Sequence, residues 1–352
     1  MGRLLAFLGK QRLDDGLSFE VVVALDGKGS TPAKLEESLT LADGRVADVR
    51  CLPLERVGIS AAKNAAVAAA RGDVLLFVND DIEPWPDFVQ RHADAHAAGH
   101  EVVLGYSPWV IYPDQTIFDE MIARTRMVFF YSDLKRGKSY GFRHAWNLNL
   151  SVARSLVEKL DGPFCESLQP VFYDDVEFAH RMIGDDERVF YASDAVALHR
   201  HRYTLASYFG REALLGVMAH SLHRVNDACF KAIFAMGLDE LVSDAGRVVE
   251  HDVRDETRAL ATVCDLGGQA IDHPVDERLV RAMYVAHLPL KRRAFRLGLL
   301  ARQAAPKRDW REYPELAHES LADDAVMGLL FDGQGQSGAS GTCRRMNAPD
   351  GP

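Results

Sequence analysis

The chain has 352 residues, 47% of them hydrophobic and 26% charged, enough for a sizeable core and for more than one domain. A net charge of −10 argues against a global electrostatic pull toward nucleic acid. The five cysteines (Cys51, Cys165, Cys229, Cys264 and Cys343) are scattered without metal spacing, which points to a reduced cytoplasmic setting, and no apolar run approaches the roughly 20 residues that span a bilayer.

In chain order, residues 4–11 read as a short helix with Leu4, Leu5 and Leu8 on one face. Residues 19–25 read as a strand that ends in the turn Asp26-Gly27. Residues 48–52 read as another strand. Gly58 to Asn64 then opens an alanine-rich helix that stops at Arg71-Gly72, where glycine suits the left-handed residue past a helix end. Val74 to Val78 has the length and composition of a buried strand. It stops at Asn79-Asp80-Asp81, and Pro84 and Pro86 stiffen the turn that follows. Alternation lets Asn79 and Asp81 point the same way. Two hard oxygen ligands past the carboxyl end of a core strand suit a divalent cation that carries phosphates. The plainer reading is a solvated acidic turn.

Residues 85–98 read as a helix and 101–110 as a strand. Residues 117–134 form a long amphipathic stretch suited to core packing. Lys135, Arg136, Lys138, Arg143 and His144 follow as a basic cluster. It reads as an acceptor or phosphate loop, or as a solvated loop. Residues 146–152 read as a strand. Tyr173 to Arg181 reads as the first turns of a helix, where the free N–H groups and the dipole stabilise carboxylates. The same effect keeps a carboxylate ionised, as a general base requires. Residues 189–193 and 195–199 read as two short strands. His199-Arg200-His201-Arg202 follows them, then a helix from about residue 204.

These motifs together resemble family 2 glycosyltransferases of the GT-A fold. The resemblance runs from about residue 4 to residue 220. It implies a mixed α/β sheet flanked by helices. It also implies an enzyme that moves a sugar from a nucleoside-diphosphate sugar to an acceptor hydroxyl, with inversion, as in glycan biosynthesis. Asn79 and Asp81 match the D-x-D pair, with Asn in the first place as a departure. With His199, or His201 in its stead, they imply a Mg or Mn site. Asp26 matches an Asp that contacts the base. Arg56, Lys63 and Asn64 match the block beside the diphosphate, and Asp80 joins the donor side. The block from Asp174 to Arg181 implies Asp175 as the general base, with Asp174 beside it. Trp146, Asn149, Glu166 and Arg181 fall toward the acceptor or sugar. Cys165 stands where the family has Asp. A nucleotidyltransferase of related fold would open on a Gly-rich nucleotide loop, which is not found. A non-catalytic sugar-nucleotide or glycan-binding protein is the rival from another class.

Residues 1–225 are thus expected to form the GT-A-like domain. Residues 226–330 form a helical region with a break at Asp272-His273-Pro274, and residues 331–352 a disordered tail. The basic stretch from Lys291 to Lys307 reads as a packed helix face, or as a contact with an anionic membrane surface near a lipid-linked acceptor. Relatives begin with a strand that this chain lacks. Its absence predicts an unpaired flank on strand 19–25, and a native protein that starts upstream of Met1.

Overall fold

Val74–Val78 is a strand (β4), in the register its apolar run predicts. A computed structural model describes residues 1–27, 38–168, 172–251, 253–271 and 275–307. The described residues form two compact units, Met1–Val110 with Asp133–His201, and Ile111–Ser132 with Arg202–Pro352.

In the first unit the chain opens with helix α1 (Gly2–Leu8), burying Leu4 and Leu8. Strand β1 (Val21–Asp26) pairs in parallel with β3 (Val46–Leu54), and β2 (Ser38–Thr40) pairs antiparallel with β3. Helix α2 (Ile59–Ala69) links β3 to β4. Then come β5 (Ile82–Pro84), α3 (Phe88–Ala97) and β6 (Val102–Tyr106). Helix α4 (Ile117–Arg124) belongs to the second unit. The first unit resumes with β7 (Ser139–Tyr140), β8 (Asn149–Ala153), α5 (Arg154–Val157), α6 (Asp174–Ile183) and β9 (Val189–His199). The larger sheet runs β4-β8-β6-β9-β5, with β7 also on β9. Its one parallel pair is β6 with β9. Among the described residues β1 pairs with β3 and β4 with β8.

One expectation is corrected here. Residues 189–199 are one strand, because a register shift opposite Gly105 and Tyr106 absorbs the irregularity that reads as a break. The amphipathic stretch 117–134 is helical from Ile117 to Arg124, where Thr125 turns extended. Residues 272–274 and the tail beyond 307 lie outside the described residues.

The second unit is helical after α4: α7 (Leu205–Val225), α8 (Asp227–Phe234), α9 (Leu238–His251), α10 (Val253–Gly267) and α11 (Glu277–Ala304). Helices α7 and α11 cross where each carries a glycine. A Cβ on Gly298 would lie 1.8 Å from the Ala213 carbonyl oxygen, and one on Gly216 would lie 2.0 Å from that of Phe295. Only hydrogen fits such a backbone approach. Much of the basic stretch on α11 turns inward. Arg293 donates to Glu256 at 2.8 Å, and both are buried. Lys291 donates to the Met127 carbonyl at 3.0 Å and lies 3.7 Å from Glu212. Burial pulls the Lys291 ammonium below its usual range, against the pull of Glu212. Arg292 and Lys307 remain exposed. No helix among the described residues is long and apolar enough to cross a membrane.

The crossing yields a paired prediction. Gly298→Ala should destabilise the protein by at least about 1–3 kcal/mol, since added core volume forces backbone shifts. Gly246→Ala in α9, where a Cβ meets nothing within 4 Å, should be neutral or stabilising by up to about 1 kcal/mol. Thermal or denaturant unfolding of the two variants checks this, and equal effects would contradict the crossing.

Candidate active site

The end of β4 and the end of β9 bring an acidic turn beside two histidines. Asp81 follows β4 and half-exposes its side chain, while His199 closes β9 and is 5% exposed. Asp81 Oδ2 lies 3.4 Å from His199 Nε2 and 3.8 Å from His201 Nδ1. The backbone N–H of Arg200 donates to the Asp81 carbonyl at 2.8 Å and sets the register of the two ends. Burial pushes the Asp81 carboxyl up, but the hydrogen bond to His199 and the charges of both histidines outweigh it and hold it below the usual range. Asp81 Oδ1 is buried with no hydrogen-bond partner. The indole of Trp109 packs on the His199 ring, centroids 4.5 Å apart.

A carboxylate with one oxygen facing two imidazoles and the other without a hydrogen-bond partner is donor chemistry that a divalent cation takes. Asp81 and His199 therefore fit such an ion as two of its ligands, with His201 beside them. Asn79 and Asp80 are exposed in the same turn. Among the described residues no group of three His, Cys, Asp or Glu is placed to hold a metal alone.

A second acidic centre forms at the start of α6. Phe172 and Tyr173 take left-handed backbone angles, φ 68° and 64°, which non-glycine residues seldom hold. The helix then begins with Asp174, which is buried, and Asp175, which is half-buried. Lys63 from α2 donates to Asp174 Oδ2 at 2.6 Å, with its ammonium 5.0 Å above the Phe164 ring. Asp175 accepts from the Val176 N–H at 2.8 Å. Burial and then the charge of Asp174 raise the Asp175 carboxyl to about 6, with Lys63 pulling the other way.

The remaining expected residues divide into exposed and structural groups. Asp26 accepts from the N–H groups of Val57 and Gly58 at 2.7 and 2.9 Å, so its carboxylate shapes the turn into α2. Arg56 in that turn is exposed, at φ 49°. Asn64 donates to the Phe164 carbonyl at 2.9 Å and to Glu166 Oε1 at 3.0 Å, and accepts from the Phe164 N–H at 2.9 Å. Glu166 is exposed on that loop. Arg181 donates to Glu177 at 2.8 Å and to the carbonyls of Gly162 and Pro163 at 2.9 and 2.5 Å, tying the same loop to α6. Trp146 is 5% exposed. Asn149 is fully buried. It accepts from or faces His92 Nε2 at 2.8 Å and donates to Ser107 at 3.2 Å and the Ala195 carbonyl at 3.1 Å. A Cβ on Gly105 would lie 2.4 Å from this amide. Ser151 completes the network with His92 at 2.7 Å and His96 at 2.8 Å.

Sequence reasoning missed Trp109, His92 and His96. Trp109 reads as part of a strand, and its role appears only when β9 pairs beside it. The spacing of His92 and His96 on one helix face was the available signal.

The profile of the family described as Glycosyl transferase family 2 matches residues 2–161. Among solved structures the chain is similar to S. aureus TarS 1–349, at 18% identity over 87% of this chain and 88% of that one, with a TM-score of 0.46. TarS 1–349 in complex with UDP-GlcNAc gives 16% identity over 86% and 87%, with a TM-score of 0.44. GalNAc-T7 with UDP, GalNAc and Mn2+ gives 13% over 60% and 47%, with a TM-score of 0.37. No curated protein matches in sequence.

His92 gives this unit a pH dependence. Burial, opposed by the bond to Asn149, drives its imidazole from 6.5 down to about 4. The unfolded chain therefore takes up the proton first. The stabilisation is complete above about pH 6.5 and is lost as pH falls toward 4, up to about 3 kcal/mol. Thermal midpoints of the wild type should fall across that window, and His92→Phe should flatten the fall. Parallel curves would show that His92 does not titrate as described. The matched profile identifies residues 2–161 as a family 2 glycosyltransferase domain.

Proposed function

We propose that this glycosyltransferase moves a sugar from a nucleoside-diphosphate sugar to an acceptor hydroxyl on a saccharide or a lipid-linked saccharide, within a GT-A-like first unit. The observation that carries the reading is the carboxyl pair at the start of α6. One member is held by Lys63, and the other has its proton affinity raised into the range of a working base. Asp175 takes the acceptor proton while the acceptor oxygen bonds to the anomeric carbon. The bond from that carbon to the diphosphate breaks, and the nucleoside diphosphate leaves with the electron pair. A single displacement of this kind inverts the anomeric centre.

On the donor side the exposed members are Arg56 and Asp80, with Asp26 shaping the turn between them and α2. Asp81 with His199, and Asn79 from the same turn, would hold a Mg or Mn ion. Such an ion, when bound, neutralises charge on the departing diphosphate. On the acceptor side Glu166 is the exposed group. Arg181 ties the loop that carries it to α6, while Trp146 and Asn149 are buried. Contact with an anionic membrane surface would fall to Arg292 and Lys307, since Lys291 and Arg293 are engaged inside their own unit. The packed-helix reading of that stretch is the better supported.

Two experiments test the mechanism. Asp81→Ala should abolish cation-dependent binding of UDP or UDP-sugar, read as loss of the thermal shift that ligand and Mn2+ give together. Full binding in the variant, or in excess chelator, would remove the metal role. Asp175→Asn keeps the shape and should lower transfer by at least about a hundredfold while donor binding persists. Nearly intact transfer would make Asp175 a helix-start residue only.

A further inference from the structure

Lys63 and Asn64 lie side by side on α2, in a block whose resemblance places both beside the diphosphate. Their contacts point elsewhere. Lys63 spends its ammonium on a buried carboxylate, 2.6 Å from Asp174 Oδ2, and rests on the face of Phe164. Asp174 is 5% exposed and Phe164 1% exposed. Asn64 spends all its bonds on the loop at 164–166. That loop is the one Arg181 ties to α6 from the other side. A single turn of α2 thus fixes both the first residue of α6 and the loop in front of it.

The two carboxylates of that helix start are not equivalent. Asp174 has a cation in contact. Among the described residues Asp175 accepts from a backbone N–H, and it stays half-buried. A carboxylate fixed by a salt bridge makes a poor proton acceptor. It also places a negative charge beside its neighbour, which strengthens that neighbour's hold on a proton. We propose that Lys63 is a positioning residue of the base. By engaging the Asp174 carboxylate in an ion pair it leaves Asp175 as the carboxyl that moves the acceptor proton. This inference rests on the reading of Asp175 as the base, and it removes Lys63 from the donor-binding set. The value of about 6 for Asp175, with Asp174 raising it and Lys63 lowering it, agrees with the geometry.

The other charged groups around the helix start leave this pair in control. Glu177, on the same helix, is tied to Arg181. His180 packs its ring on Phe142, in the 3-10 turn Phe142–His144 that lies against α6 and also carries Arg143 and His144. Glu166 is held by Asn64.

The test needs no substrate. The full chain is labelled with 13C at the aspartate carboxyl carbons, and each resonance is followed against pH. The resonance missing from Asp175→Asn identifies Asp175. Its midpoint should lie near 6 in the wild type. In Lys63→Met it should rise, because the nearby ammonium favours the charged form of the Asp175 carboxyl. It should fall in Asp174→Asn and hold in Lys63→Arg. Should Lys63→Met fail to fold, Lys63→Met/Asp174→Asn leaves no lone charge, and its midpoint should lie above that of Asp174→Asn alone. A wild-type midpoint in the ordinary carboxylate range, or one that none of these changes moves, overturns the proposal. Unmoved midpoints with transfer lost in Asp175→Asn would overturn the role of Lys63 and keep the base. Intact transfer in Asp175→Asn would remove both.

Discussion

The ammonium of Lys63 against the Asp174 carboxylate is the contact on which the acidic half of the first unit depends. It joins α2, which follows β3, to α6, which precedes β9. Both groups are largely out of water, so removing either partner strands a charge at a cost of several kcal/mol. The backbone just before it is under strain at Phe172 and Tyr173, and strain of that kind persists only where surrounding contacts overdetermine it. The Asn64 and Arg181 bonds to the 162–166 loop supply part of that determination.

Where the local pattern was strong, the sequence was legible. The five-residue apolar run at 74–78, the turn at Asp26-Gly27 and the carboxylate-rich start of α6 each announce an element through composition alone. The strand at 189–199 was harder. Asp194 interrupts its apolar run, and only pairing with β6 shows that a register shift carries the strand through. The amphipathic stretch from 117 carries its apolar residues past the helix end at Arg124. Phe129 and Tyr131, for instance, sit ring to ring beyond the helix end.

The candidate site divides in the same way. The family resemblance set Asp81 beside His199, and the two lie together because β5, which follows Asp81, pairs with the end of β9. What each polar group spends its hydrogen bonds on has no local signature. Asn149 lies in a strand whose neighbours are apolar, so its partners come from α3 and β9. Asp26, Asn64 and Arg181 likewise bond to loops distant in sequence. A motif names the residue types at such positions, and only the fold shows which are committed to holding it together.

Among the described residues the two sheets of the first unit each end on a strand with one bonded flank, β1 in one and β4 in the other. An open flank is a row of N–H and C=O groups spaced to receive any extended chain. β1 is Val-Val-Val-Ala-Leu-Asp and β4 is Val-Leu-Leu-Phe-Val, both rich in the residues that favour self-pairing. Neither strand carries a lysine or a proline to discourage it. When the protein is concentrated, or partly opened by heat, these two edges are where copies would begin to stick to one another. Losses during purification should then trace to β1 and β4 rather than to the helical unit.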